Sequence, residues 1–441
     1  MKFDSEYRRI FERLTTEVLP FWFEEGLDRV EGGFFACFDG ITGERVADHK
    51  FLWVQGRLLW LFSRLHRFLE DTLRSEDGAA KGSSPADYAL LLRVDEAACS
   101  LYRFITRYGI DADKRVRFVV TREGKPSNLR ALGLGDNDDP RASTYSDCFV
   151  LMGMAAYGHA FDVPEATAVA QGILERTIGD LRRGAFKTHP YPEPPGMEAL
   201  GSRMILAMAA GELRPRAVAE TFILDTFRDL RDRFLRPDGS FRELVPRKSA
   251  AEPAGAQPPS SALLRYANPG HTLETYGLLG DHVDLAGQAG WTGPMLVEGI
   301  MSTLHAAWDS VNGGLLTFIG PGTKPDSTSG IEELFQCDDP LSGESLFSTV
   351  RNDWSLKLWW PHVEGMYATL ALAMEMDNDV LLEWYLRLRD YTFRVFPDPA
   401  GREWLHIRDR RGQPLRRVVA LPIKDPYHIA RCLLKMLILL K

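Results

Sequence analysis

The chain has 441 residues, 45% hydrophobic and 11% aromatic, with a formal charge of −8. The mild acidity is spread along the chain, with no basic stripe for nucleic acid and no charge block that would mark a tail. The start, "MKFDSEYRRIFERLTTEVLPFW", is charged and amphipathic rather than a signal peptide, and no apolar run reaches membrane-spanning length, so no membrane partner is expected.

Helical periodicity dominates the rest. It predicts twelve helices, at 5–25, 50–72, 86–109, 144–161, 164–183, 196–210, 216–235, 269–288, 292–310, 357–376, 378–395 and 425–440. After each odd-numbered helix comes a Gly-containing stretch with hairpin chemistry: "VEGGFFACFDGITGE", "KRVRFVVTREGKP", "RRGAFKTHP", "RPDGSFRELV", "VNGGLLTFIG" and "DPAGREWLHIRDRRG". The unit helix–hairpin–helix thus recurs six times with a period of about seventy residues. A helix pair cannot bury both its faces alone, so repeated pairs must pack on one another. The expected fold is all-α: an (α/α)6 barrel of six helix pairs with short β-hairpin connections, one catalytic domain over 1–441. The Pro/Ser/Ala/Gly-rich segments 73–87 and 246–262 read as mobile loops, and 320–356 as a long connection suited to covering a site. The cysteines Cys37, Cys99, Cys148, Cys337 and Cys432 are odd in number and scattered, which fits a reducing cytoplasm and suggests neither a disulfide framework nor a zinc site. A cytoplasmic globule is expected, and a homodimer is compatible with it.

Unusual residues gather where each even-numbered helix begins: Lys50, Trp53 and Arg57 in the second, Tyr145 in the fourth, His271 and Glu274 in "NPGHTLE" of the eighth, Trp359, Trp360, His362 and Glu364 in "KLWWPHVEG" of the tenth, and His428 in "DPYHIARC" of the twelfth. In a closed barrel these first turns converge at one mouth, where six helix N-termini direct partial positive charge suited to a developing oxyanion. Of ten histidines, His49, His66, His159, His189, His282, His305 and His406 read as surface or core filler. His271 and His428 occupy matching places in repeats four and six. His362 reads either as a substrate ligand or as an anchor for Glu364. The tryptophans read equally as barrel core and as a platform for sugar rings. There is no HExxH, no carboxylate–histidine cluster at ligand spacing, no P-loop and no dinucleotide fingerprint, so neither metal nor cofactor is expected.

The segments "KFLWVQGRLLWLFSRL", "YSDCFVLMGMAAY", "NPGHTLE", "KLWWPHVEGMYA", "FPDPAGREW" and "PYHIAR" together resemble the N-acylglucosamine 2-epimerase superfamily, in order across almost the whole chain. The resemblance implies the same barrel and an isomerase acting on a sugar. It implies His271 and His428 as a proton-transferring pair, Glu274 as the group orienting His271, and Arg57 as the contact near C1 and C2. Trp359, Trp360 and Glu364 would line the substrate, and the mouth residues Lys50, Trp53, Tyr145 and His362 read as further substrate contacts. "YSDCF" and "WWPHVE" look closest to the N-acylglucosamine branch, whereas "PYHIARC" leans toward the cellobiose type. The implied reaction removes the proton at C2 of an open-chain aldose and returns one to the opposite face, which asks for two groups with pKa values near neutrality. Return to C1 instead would make a ketose. Two rival readings are a glycoside hydrolase using two of Asp147, Glu274 and Glu364, and a sugar-binding barrel without turnover.

Overall fold

The computed structural model describes residues 3–74, 85–134, 138–247, 261–321, 331–335, 338–418 and 421–441. The barrel helices, numbered in chain order, begin with α1, a run from Asp4–Glu12 to the wide turn Trp22–Gly26. There follow α2 (Leu52–Arg74), α3 (Pro85–Phe104, continued through Ile105–Gly109), α4 (Tyr145–Ala160), α5 (Pro164–Arg182) and α6 (Leu200–Gly211). The second half holds α7 (Ala217–Asp229, continued through Leu230–Phe234), α8 (Pro269–Asp281), α9 (Gly293–Ala307), α10 (Trp359–Glu375), α11 (Asp379–Val395) and α12 (Tyr427–Leu440). All twelve coincide with predicted helices to within a few residues, except that the eighth breaks at His282 before a separate turn, Val283–Gln288.

The even helices form the inner ring and the odd helices the outer one, for a reason visible in their composition. From Ser146 to Gly158, α4 is buried on every side, and α8 and α10 are buried along most of their length. A helix without a polar face must be surrounded. By contrast α11 buries Leu381, Trp384, Tyr385 and Leu388 on one stripe and leaves charged residues outside. Around the ring α2 packs on α4, α4 on α6, α6 on α8, α8 on α10, α10 on α12, and α12 on α2 again. Gly56 and Gly153 let α2 and α4 approach closely: a Cβ on Gly56 would stand 2.4 Å from the carbonyl carbon of Phe149.

The connections tie neighbouring repeats rather than standing as separate hairpins. Within them only single bridges form, such as Leu27↔Phe34 and Leu235↔Phe241. The short ladders join one repeat to the next: β1 (Lys50–Phe51) with β2 (Val119–Val120), β3 (Met197–Ala199) with β4 (Leu244–Pro246), and β5 (Lys357–Leu358) with β6 (Ile407–Arg408), all antiparallel. Bridges Ser143↔Thr188 and Ala267↔Ile319 link the intervening pairs. The Lys424 N–H, donating to the Ala36 carbonyl at 2.7 Å, closes repeat six onto repeat one. The six-repeat pattern is therefore a backbone ring as well as a ring of helices.

Lys50 belongs to this ring, not to the mouth. Its Nζ is fully buried against Asp28 at 2.8 Å and the Gly32 carbonyl at 2.6 Å, with Arg122 on the same carboxylate at 2.9 Å. Lys357 repeats the device with Asp309 at 3.2 Å, the Gly314 carbonyl at 3.2 Å and Arg410 at 3.0 Å. Each aspartate also accepts the backbone N–H groups two and three residues on. A buried charge has to be paired, and here the pairing locks the strand that opens the inner helix to the hairpin of its own repeat, with Arg122 and Arg410 reaching in from the next. The substrate contact expected for Lys50 is replaced by this structural role. Of the two loop-like segments, residues 75–84 and 248–260 lie outside the described residues.

Candidate active site

At the end where the even helices begin lie two cavities, of about 280 and about 450 Å³, which share Trp53, Arg57, Leu358 and Trp360 as their dividing wall. The first is lined by His271, Tyr145, Glu243 and Asn268, and the second by His428, Asp425, Trp359 and His406. All six inner helices contribute, as their convergence requires. The helix Ser345–Asp353, in the long connection, covers the first cavity through Leu346 and Thr349.

"NPGH" builds its histidine from local chemistry. Asn268 caps α8, its side-chain oxygen accepting from the N–H groups of Gly270 (3.0 Å) and His271 (3.4 Å). Pro269 supplies a first helical residue with φ already set. Gly270 is demanded by Trp360, since a Cβ there would lie 2.4 Å from the indole. The indole therefore slides in beside the first turn, with its ring 5.2 Å from that of His271 and 5.5 Å from that of His428. Because α10 stands between α8 and α12 in the ring, the two histidines flank Trp360 from opposite sides.

Each histidine carries its own carboxylate. His271 donates from Nδ1 to Glu243 Oε2 at 2.8 Å, and His428 donates from Nδ1 to Glu364 Oε1 at 2.7 Å. Both rings are thereby held in the tautomer that leaves Nε2 free as a proton acceptor. Burial alone would lower the His271 pKa, but the charge and hydrogen bond of Glu243, with Glu274 behind, outweigh it and raise the value above that of an ordinary histidine. On the other side, the Arg431 guanidinium donates from Nη1 to both Glu364 oxygens at 2.8 Å. Burial opposes ionisation of Glu364, and Arg431 and His428 overcome it, so the carboxyl stays ionised well below the usual range.

Glu274 does not orient His271. It is buried beside Glu364, His428 and Arg431, and burial together with the Glu364 charge raises its pKa. Two carboxylates so close favour one of them holding a proton. Glu274, Glu364 and His428 bring potential ligand atoms within 4.8 Å of one another. The Arg431 guanidinium on Glu364 already supplies there the positive charge a metal would bring.

Arg57 donates to Asp425 Oδ2 at 2.8 Å, and its guanidinium lies 4.0 Å from the Phe149 ring centroid and 4.8 Å from that of Tyr427. Stacking and ion pair together aim it at the wall between the cavities. Burial would raise the Asp425 pKa, yet Arg57, His428 and the Tyr427 N–H lower it, so it remains charged. Trp53 and Tyr145 line the first cavity, whereas Trp359 lines the second, stacked on His406 with centroids 4.0 Å apart. His362 lies outside both cavities. Fully buried, it donates from Nδ1 to the Leu358 carbonyl (2.6 Å) and accepts the Leu315 N–H on Nε2 (2.8 Å). Burial lowers its pKa to about 3, so it is a neutral link between hairpin and helix, and the substrate contact expected of it is not made.

Three site residues escaped the sequence. Glu243 sits on the hairpin of repeat four, 28 positions from its histidine, and no local pattern marks it. Asp425 and Arg431 flank His428 in "DPYHIAR", where the three-residue spacing of His428 and Arg431 on a helix face was a usable signal. Asp147 faces neither cavity among the described lining residues, and Glu364 is engaged by Arg431 and His428, which removes two of the carboxylates that a glycosidase reading relied on.

The chain was compared with known proteins. The N-acylglucosamine 2-epimerase family model matches residues 112–432. The bovine and human N-acylglucosamine 2-epimerases are each 26% identical to it, over 422 and 424 residues, covering 94% of this chain and 87% and 86% of theirs. Among solved structures, the cellobiose 2-epimerase of Bacillus thermoamylovorans superposes with a TM-score of 0.71 at 18% identity, covering 98% of this chain and 99% of that one; this likeness concerns the fold. The chain belongs to the N-acylglucosamine 2-epimerase family and is by that membership a carbohydrate epimerase, an isomerase built on the (α/α)6 barrel.

Proposed function

We propose that this enzyme inverts C2 of an open-chain aldose with His271 and His428 as its two proton carriers, and that its substrates are an N-acyl-D-glucosamine and the corresponding N-acyl-D-mannosamine. The observation that carries the mechanism is the placement of the two imidazoles on either side of Trp360, each with Nδ1 on a carboxylate and Nε2 left to face substrate. One neutral Nε2 takes the C2 proton, and the electron pair moves into an enediolate whose oxygen at C1 is stabilised by Arg57 and the converging helix N-termini. The second imidazole, protonated, delivers its proton to the opposite face. No net proton is gained or lost, and the roles exchange in the reverse reaction. Trp53, Trp360 and Tyr145 offer flat surfaces to the sugar. The choice of an N-acylated substrate is supported by the 26% identity to N-acylglucosamine 2-epimerases along 94% of the chain.

The test is turnover in deuterated water followed by NMR. Label is expected at C2 of the product, and both His271→Asn and His428→Asn should abolish incorporation while retaining the helical circular dichroism. Full activity in either variant, or epimerisation without label at C2, refutes the two-histidine route. Label at C1 with a ketose product would make it an aldose–ketose isomerase. Assaying N-acetylglucosamine, N-acetylmannosamine, mannose, glucose, fructose and cellobiose side by side tests the substrate.

A further inference from the structure

The two cavities at the mouth differ in chemistry. The first, of about 280 Å³, is walled by Phe149, Ile205, Leu244, Leu263 and Phe318 and closed by Leu346 of the covering helix. Two of its acidic groups are already engaged: Glu193 accepts from Arg247 at 2.8 Å and from the Ala199 N–H at 3.0 Å, and Glu243 holds His271. A third, Glu344, caps the start of the covering helix. The second cavity, of about 450 Å³, presents the ion pair of Asp39 with Arg416, together with Arg417 and His406, beside His428. Groups of that kind suit hydroxyls, whereas the first cavity suits something largely apolar.

Two phenols interrupt the apolar wall of the first cavity. Tyr266 is 2% exposed and Tyr145 half-buried, and among the described residues neither hydroxyl has a hydrogen-bond partner. Burial, with nearby carboxylates adding to it, raises both pKa values well above that of a free phenol, so both are neutral donors. Tyr266 is set edge-on against Phe318, with ring centroids 5.6 Å apart. Gly201 leaves the other phenol uncovered, since a Cβ there would stand 2.9 Å from the Tyr145 hydroxyl oxygen. A buried hydroxyl without a partner costs free energy. Two of them in an apolar chamber call for a ligand that is apolar except for one strong acceptor, which describes an acyl group.

C2 of an N-acyl hexosamine carries two diverging arms, the acylamino group and the polyol from C3 to C6. The wall of Trp53, Arg57 and Trp360 stands between two chambers of matching character. We propose that the first cavity receives the acyl arm, its carbonyl accepting from the Tyr266 and Tyr145 hydroxyls, and the second the polyol, an inference that rests on reading the substrate as an N-acyl hexosamine. The first chamber approaches the size of cavities that hold whole small molecules, far more than an acetyl group fills. The enzyme therefore accepts acyl chains longer than acetyl, with Ile205 on α6 as a limit on their length.

Steady-state kinetics of the full-length enzyme on N-acetyl-, N-propanoyl- and N-butanoyl-D-mannosamine test the assignment. In the wild type, kcat/KM should hold or rise with chain length, by up to about fourfold per newly buried methylene. Ile205→Trp narrows the chamber and should lower kcat/KM for the N-butanoyl sugar about tenfold or more, and for the N-acetyl sugar much less. Tyr266→Phe should raise KM for every N-acyl sugar by about tenfold with kcat little changed, since the lost bond serves substrate and transition state alike. Its Tm should not fall, because the hydroxyl bonds to no other described residue; a merely structural hydroxyl would lower Tm and leave KM in place. Rejection of the N-butanoyl sugar by the wild type, an equal effect of Ile205→Trp on all three sugars, or an unchanged KM in Tyr266→Phe overturns the assignment, while turnover of N-acetylmannosamine leaves the substrate reading standing. Turnover of mannose or cellobiose and of none of the N-acyl sugars refutes that reading, and the acyl chamber with it.

Discussion

Glu243→Gln is the substitution that best separates this site from the one its sequence suggests. The carboxylate lies 2.8 Å from His271 Nδ1. A glutamine keeps an acceptor there and removes only the charge. Charge centres about 4 Å apart interact by about 4 kcal/mol at an effective dielectric of 20. The His271 side chain is 30% exposed, and the solvent reaching it screens this to about 2 kcal/mol, equivalent to roughly 1.5 pKa units. The sign follows from the balance at His271, where burial pushes the pKa down and Glu243 holds it up. Without the charge the ring titrates at lower pH, becomes a weaker base, and is no longer protonated when a proton must be returned. We expect kcat to fall roughly 10–100-fold, with the acid limb of kcat/KM displaced to lower pH. NMR titration of the His271 ring together with the pH–rate profile measures both. The companion variant Glu274→Gln should leave the His271 titration nearly in place and act instead on the Glu364–His428 side. If Glu274→Gln moves the His271 titration more than Glu243→Gln does, the orienting role assigned to Glu243 is wrong.

Two further expectations concern residues that look like ligands and are not. Lys50→Met should leave KM for the sugar unchanged and lower stability by about 2–3 kcal/mol, less than for a fully broken buried pair because Arg122 still holds Asp28; thermal melts and steady-state kinetics report the two effects, and a raised KM with an unchanged Tm contradicts the structural role. His362 is neutral in the fold, with a pKa of about 3 against 6.5 when unfolded. Its contribution to stability is therefore full above about pH 6.5 and is lost as pH falls below that, by about 1.4 kcal/mol per unit until the ring itself protonates near 3. Denaturant unfolding between pH 7 and 5 should show this slope, reduced in His362→Gln.

The architecture is legible in the residue pattern. The alternation of helices apolar along most of their length, such as 145–160, with amphipathic ones such as 379–395 separates inner from outer helices, because a helix with no polar face cannot meet water. Six repeats of that alternation leave a closed ring as the way to bury every inner helix, and the Pro, Gly and Asn before His271 announce a capped first turn facing the mouth. Which polar residues meet there follows from packing between repeats. Lys50 opens the same helix as Arg57, and His362 stands at the start of its own inner helix as His428 does; both are chemically as suggestive, yet a shift of a few residues along the strand or helix turns them into the ring, where Asp28 and backbone groups consume them. The role expected of Glu274 passes to Glu243 for a similar reason. Three residues along a helix place Glu274 below His271, toward Glu364 and Arg431. The Nδ1 of His271 instead reaches sideways to the neighbouring hairpin, a contact set by how repeat four folds back on itself. Periodicity records which face of a helix is buried, but the partner of a buried charge is chosen across space.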